Sequence, residues 1–314
     1  MSNPALPPSS DPHTPISNQP EETGTVTVAE PVFQAPSEGT GAPAGAADGT
    51  EQVEGHVRTE SALEDMWTAP ATSNLLDIGA ASFGPPPPVA ESIIGPDDRV
   101  QITNTSVYPW RAHASLLITA ADGSLWIGTG WFIGPHTLAT AGHVVYIKNS
   151  GVPGRDGWVR SINVMPGRNG GVLPFGTVTS TNFRTVAGWA NSGDENYDYG
   201  AIIIPSDLGN TVGWFGFGVW PDAELQTVTA NISGYPGDKP AGTQWYDNDP
   251  IASVNPRKVF YETDTMGGES GSAAYRIIDG GRYGVAIHAY GGVTTNSGTR
   301  INQPVYDNLV AWKA

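Results

Sequence analysis

From Ser92 to the C-terminus, short apolar runs alternate with turn signals and almost never lengthen. The runs include "HASLLITA", "LWIGTGWFIG", "TLATAGHVV", "VLPFGTVTS", "YGAIIIP", "TVTANISGYP", "KVFYETDT", "SAAYRII" and "YGVAIHAYG". Each is a strand's length, rich in β-branched and aromatic residues. Asp122-Gly123 and Asp279-Gly280 stand between such runs as hairpin dipeptides. Only the end carries a helical period. In "INQPVYDNLVAWKA", Asn302 is a cap, Pro304 falls in the first turn, and Val305, Leu309 and Trp312 share a face. About a dozen strands and one terminal helix define an all-β fold of two small barrels or a sandwich.

The first 91 residues have a different texture. They hold 13 acidic residues against one basic residue, Arg58, and their aromatics are Phe33, Trp67 and Phe83. Such a segment buries too little apolar surface to offset its ordering entropy, so 1–91 reads as mostly disordered, ending in polyproline at Pro85–Pro88. "SALEDMW", Ser61 to Trp67, has the pattern of a short amphipathic helix. The expected organisation is 1–91 as an acidic Pro/Gly/Ala-rich pro-segment, 92–206 as one barrel, and 207–314 as a second with the helix.

The net charge of −16 disfavours nucleic acid and anionic membrane surfaces, which need a basic footprint. No run reaches the length of a membrane helix. The absence of Cys removes disulfides and thiolate metal sites. No signal peptide is legible at the start, which has neither a basic residue nor an apolar core. No cofactor and no metal-ligating set is read from the chain.

"TMGGESGSAAY", Thr265 to Tyr275, places Ser270 among glycines. A serine hydroxyl attacks only if a base removes its proton and an acid fixes that base. Of six histidines, His13 and His56 fall in the tail, His113 reads as a wall residue and His136 as a turn. His143, at the end of an apolar strand, and His288 remain. Asp198 enters the apolar strand "YGAIIIP", where a carboxylate needs a partner. A strand-start cap is an equal reading of that residue taken alone. The G-x-S-x-G elbow fails, because Ser272 stands where its last glycine would be.

"TAGHVV", "DYGAI" and "GGESGSAAY" resemble the three signatures of chymotrypsin-fold serine peptidases. "SIIGPDDRVQITNTSVYPWRAHASL", "WFIGPHTLATAGHVVY", "AIHAYGG" and "TRINQPVYDNLVAW" narrow the resemblance to the bacterial glutamyl endopeptidases, from Ser92 to the end. The resemblance implies two six-stranded antiparallel barrels with the site between them. It implies His143, Asp198 and Ser270 as the triad, and Gly268 and Ser270 as oxyanion donors beside Gly267. Thr265, His288 and the α-amine of Ser92 would receive a substrate Glu, and Ala289, Tyr290 and Gly291 would pair with its backbone.

The resemblance further implies a secreted, monomeric serine endopeptidase acting on peptides or proteins, made as a zymogen and cut between Glu91 and Ser92. Two alternatives accompany it. Asp264 stands where basic-specific members carry their selecting acid, and an idle protease-like binding module would keep the fold without the reaction. Glu269 and "SAAY" depart from the commoner residues around the nucleophile. They bear on surface charge and loop rigidity rather than on triad atoms.

Overall fold

In a computed structural model, residues 11–20, 50–51, 67–83 and 92–313 are described. Glu91, the polyproline stretch and residues 61–66 of the expected amphipathic helix lie outside them.

Two sheets carry the fold. The first has eight strands in the order Pro15–Ser17, Asn182–Val186, Gly200–Ile203, Thr137–Thr140, Leu125–Phe132, His113–Thr119, Ser161–Pro166 and Val178–Ser180. The second runs Gly216–Phe217, Gly281–Tyr290, Ala273–Ile278, Thr229–Gly234, Gln244–Val254, Lys258–Tyr261 and Asn296–Arg300, with Val100–Ile102 attached to Gln244–Val254. Pairing of Gly281–Tyr290 with Asn296–Arg300 closes it into a six-stranded barrel, the second of the expected pair. The first sheet stands as the first barrel with eight strands and no closing strand pair among the described residues, so the expected two closed six-stranded barrels are one closed and one open. The fold is therefore all-β, as the recurring runs require.

Local chemistry sets the register. Asp122-Gly123 joins His113–Thr119 to Leu125–Phe132, with Gly123 at φ 88° and the Asp122 carboxylate accepting from the Ser124 amide at 3.0 Å. Asp279 and Gly280 both have positive φ, 49° and 80°, which matches the twist of the hairpin they close. His113–Thr119 pairs on both sides and all its residues except Thr119 are buried. The terminal helix spans Gln303–Trp312, capped by Asn302 accepting from the Val305 amide at 3.2 Å, and it buries Val305, Tyr306, Leu309 and Trp312. It returns to the first sheet, where the Thr137 hydroxyl donates to the Trp312 carbonyl.

Three stretches within 1–91 are ordered on this frame. Pro15–Ser17 pairs antiparallel with Asn182–Val186 and so covers a strand edge. His13, placed by composition in a loose tail, bonds through Nδ1 to Tyr199 Oη at 2.9 Å. Trp67–Thr68 pairs with Val172–Leu173. Glu51 enters the core. Both carboxylate oxygens accept from Arg282, at 2.8 and 2.7 Å, and Tyr275 Oη donates to Glu51 at 3.2 Å. The segment is apolar-poor, as its composition shows; its anchors are a strand edge and a buried charge pair that the barrels supply.

Arg282 is fully buried and Glu51 nearly so. Removing one member of such a pair strands the other charge. Glu51→Ala is expected to lower the stability of the full chain by roughly 3–5 kcal/mol, read from urea denaturation. A loss below about 1 kcal/mol, the worth of an exposed pair, would contradict the buried assignment.

Candidate active site

Ser270 lies on a turn that only glycine permits. Gly268 has φ 111° and Gly271 φ 93°. A Cβ on Gly268 would meet the Tyr235 carbonyl at 2.5 Å, and one on Gly271 would collide with Thr140 Oγ1. Both the dihedrals and the space exclude a side chain. The turn is bonded to both barrels. Gly271 N donates to the His288 carbonyl and His288 N to the Ser272 carbonyl, each at 2.8 Å. From the first barrel, Thr129 N donates to the Ser270 carbonyl at 2.9 Å and Thr129 Oγ1 to the Gly268 carbonyl at 2.7 Å.

His143 stands on the one-turn helix Gly142–Val145, just past the strand Thr137–Thr140. Asp198 caps the 3-10 turn Glu195–Tyr197 before Gly200–Ile203. The two meet with no solvent exposure. His143 Nδ1 lies 2.7 Å from Asp198 Oδ2, and His143 N donates to Asp198 Oδ1 at 2.8 Å. Tyr290 Oη donates a short hydrogen bond to the same Oδ2. Thr299 Oγ1, on the second barrel, donates to the Asp198 backbone carbonyl at 2.9 Å. Asp198 is thus a buried acceptor beside a base rather than a strand cap.

Electrostatics follow from these contacts. Burial by itself would raise Asp198, but His143 and the Tyr290 hydroxyl outweigh it and hold the carboxyl below its ordinary range. Burial would lower His143, yet the Asp198 charge and, less strongly, Asp77 raise it above its ordinary 6.5. The pair therefore contributes most between the ordinary values of its members, roughly pH 4 to 6.5. The Asp198 part is lost as pH falls through its depressed value, the His143 part as pH rises through its elevated one.

The other expected residues are placed as follows. Thr265 is fully buried and its hydroxyl has no hydrogen-bond partner among the described residues. His288 bonds through Nδ1 to Tyr261 Oη at 2.8 Å, and burial first, then the nearby charges of His143 and Lys258, bring its pKa down to about 3. Ser92 N donates to Asn296 Oδ1 at 3.1 Å, while Asn296 Nδ2 donates to the carbonyls of Ser92 and Thr263. Asp264 Oδ1 accepts from Ile94 N at 2.6 Å. Ala289 is buried, and Gly291 half-buried just beyond the strand end.

Glu269 needs correction. Expected to affect surface charge, it is buried, accepts from Met266 N at 2.9 Å and lies 3.7 Å from Arg99, whose guanidinium also holds Asp97 and Asp238. Burial pushes it up to about 8.

Sequence reasoning missed Thr129, Arg99 and Asp77. Thr129 carried one faint signal, a hydroxyl between two glycines in an apolar strand. The Asp77 carboxylate accepts from Gly268 N at 2.8 Å and from Ser270 Oγ at 3.1 Å.

Comparisons with known proteins place this arrangement. A glutamyl endopeptidase of Bacillus licheniformis is 46% identical over 231 residues, 71% of this chain and 69% of that protein. The chain belongs to the glutamyl endopeptidase family. A solved Glu endopeptidase in complex with MPD is 30% identical, with a TM-score of 0.62 over 71% of this chain and 99% of that one. The family member described here is accordingly a serine protease of the chymotrypsin fold. An extracellular metalloprotease of Bacillus subtilis is also 42% identical over 223 residues, 70% of this chain and 69% of that protein. The residues described above are a serine, a histidine and a carboxylate. Among the described residues, the acids able to share an ion are Asp98, Asp247 and Asp264, the last bonded to the Ser92–Arg99 stretch. No protein-family model matches the chain.

In full-length Ser270→Ala protein, the His143 ring protons should titrate above pH 6.5 by NMR. Asp198→Asn removes the larger raising charge, leaving burial in control, and should bring the value below 6.5. An unchanged titration would contradict the pairing.

Proposed function

We propose that the protein is a serine endopeptidase in which Ser270 attacks the peptide carbonyl, His143 moves the proton, and Asp198 orients and charge-stabilises the imidazole. The observation that carries this reading is the fully buried His143–Asp198 pair beside a nucleophile turn whose Gly268 amide faces Ser270 Oγ through one shared acceptor. In the reaction, His143 Nε2 takes the hydroxyl proton and later gives it to the leaving amine. The amides of Gly268 and Ser270 receive the developing oxyanion. Ala289, Tyr290 and Gly291 offer backbone to the substrate strand, as an added β-strand would use it.

Glu is the proposed P1 residue. A buried carboxylate needs donors, and Thr265 offers a buried hydroxyl without another partner among the described residues. His288 is neutral at working pH, and in the tautomer that lets Tyr261 Oη donate to Nδ1 its Nε2 carries the proton as a donor. Ser92 is fixed by Asn296, which also binds Thr263, two residues from Thr265. Cleavage after Glu91 would make Ser92 N an α-ammonium, a cation for the substrate carboxylate. Asp264 Oδ1 is engaged by Ile94 N, so only its Oδ2 remains for the basic P1 alternative. The names of the relatives support Glu as well.

A peptide library should show cleavage after Glu, and the active protein should begin at Ser92 by N-terminal sequencing. Thr265→Val should cut kcat/KM on Glu substrates by roughly 10–150-fold, the worth of one hydrogen bond to a charged group. Poor substrates should lose far less. Ser270→Ala should abolish turnover and leave the chain uncut. Cleavage after Lys or Arg would return the pocket to Asp264.

A further inference from the structure

The nucleophile turn is already occupied by this chain's own residues. Leu76 and Ile78 bond to one residue of the first barrel: Ile127 N donates to the Leu76 carbonyl at 3.0 Å, and Ile78 N to the Ile127 carbonyl at 2.9 Å. Ile78 is fully buried. These bonds fix Asp77 over Ser270. Its Oδ2 accepts from Gly268 N at 2.8 Å, and its Oδ1 accepts from Ser270 Oγ at 3.1 Å and from Gly79 N at 2.6 Å. The chain then enters the helix Gly79–Phe83, which buries Ala81 and Ser82; Ser82 Oγ accepts from Lys148 N at 3.2 Å. A Cβ on Gly79 would stand 3.6 Å from His143 Nε2 and 3.7 Å from Ser270 Oγ, so the backbone passes directly over base and nucleophile.

We propose that residues 76–79 are a built-in inhibitor, in which the Asp77 carboxylate takes the place of the reaction's oxyanion on the Gly268 amide while Gly79 covers His143 and Ser270. The proposal rests on the serine-peptidase reading above and names how that site is held silent. A carboxylate suits the task chemically. It offers the amide an anionic oxygen resembling a tetrahedral oxyanion. It is also a poor electrophile, because attack by Ser270 Oγ would place two negative charges on one carbon. The segment can thus occupy the hole without being consumed. Gly79 serves the fit: a Cβ there would lie 2.6 Å from Asp77 Oδ1, so the carboxylate would have to move from its place.

Removal of the 91–92 bond alone does not displace Asp77. It converts a tethered inhibitor into one that can leave, since its effective concentration is no longer set by the chain. Activity should therefore trail cleavage rather than coincide with it.

The test uses full-length protein carrying Glu91→Gln, verified uncut by intact mass. The readout is the rate of Ser270 labelling by a fluorophosphonate, which needs a free oxyanion hole. In that background Asp77→Ala is expected to raise labelling by at least about tenfold, because the competent fraction of the site rises. Gly79→Val, which acts through the clash and leaves Asp77 in the sequence, should do the same. Circular dichroism confirms that both variants are folded. Labelling of both at the parent's slow rate, with processed wild-type protein labelling fast, would overturn the inhibitor and leave the peptidase reading standing. Processed wild-type protein that fails to label would overturn both.

Discussion

Thr129 is the point at which one barrel shapes the other's nucleophile. Its amide and hydroxyl donate to the carbonyls of Ser270 and Gly268, and its hydroxyl accepts from Tyr235 N at 3.1 Å. Its own carbonyl accepts from Thr140 Oγ1 at 2.8 Å. A turn that presents its amides outward must aim its carbonyls elsewhere, and buried carbonyls need donors. Thr129 supplies two of them from a strand deep in the first barrel. The positive φ of Gly268 and Gly271 permits the turn; the bonds to Thr129 select it.

A second crossing supports the base. The Asp198 carboxylate belongs to the first barrel, yet the donor that completes it, Tyr290 Oη, and the donor to its backbone carbonyl, Thr299 Oγ1, come from the second. Lys258 Nζ lies 3.8 Å over the Tyr290 ring, adding a cation to the same wall. The Ser270 turn and the Asp198 partner of His143, the proposed nucleophile and base, are therefore each held by side chains from the opposite barrel. Separation of the barrels by even a small amount would loosen both, which is why precision here depends on a few well-aligned bonds rather than on buried area.

Much of this was legible in the chain. Strand-length runs, two Asp-Gly hairpins and the Asn302 cap are local signals, and local chemistry decided those elements. His143, Asp198 and Ser270 were legible because each carries an oddity that only a partner resolves: a histidine after small residues, an acid at the mouth of an apolar strand, a serine among glycines. Thr129 carried only the faint signal of a hydroxyl between two glycines, since a threonine in a strand is ordinary and its bonds run to a remote part of the chain. Glu269 misled because its neighbour Arg99 is remote in sequence. Glu51 and Asp77 were hidden for a further reason. Composition describes what a segment can bury by itself, whereas these two acids are held by Arg282 and by the Gly268 amide, donors that exist only once the barrels have formed.

The clamp at Thr129 is tested most directly by the rate at which Ser270 is acylated by a fluorophosphonate in processed protein. Thr129→Val keeps the volume and removes the hydroxyl, leaving the buried Gly268 carbonyl without that donor, a loss of roughly 1–3 kcal/mol. Acylation should slow by about tenfold or more, and Thr129→Ser, which retains the donor, should stay near the wild-type rate. A folded Thr129→Val protein that acylates as fast as wild type would show that the nucleophile turn keeps its shape without the first barrel, and would contradict the account.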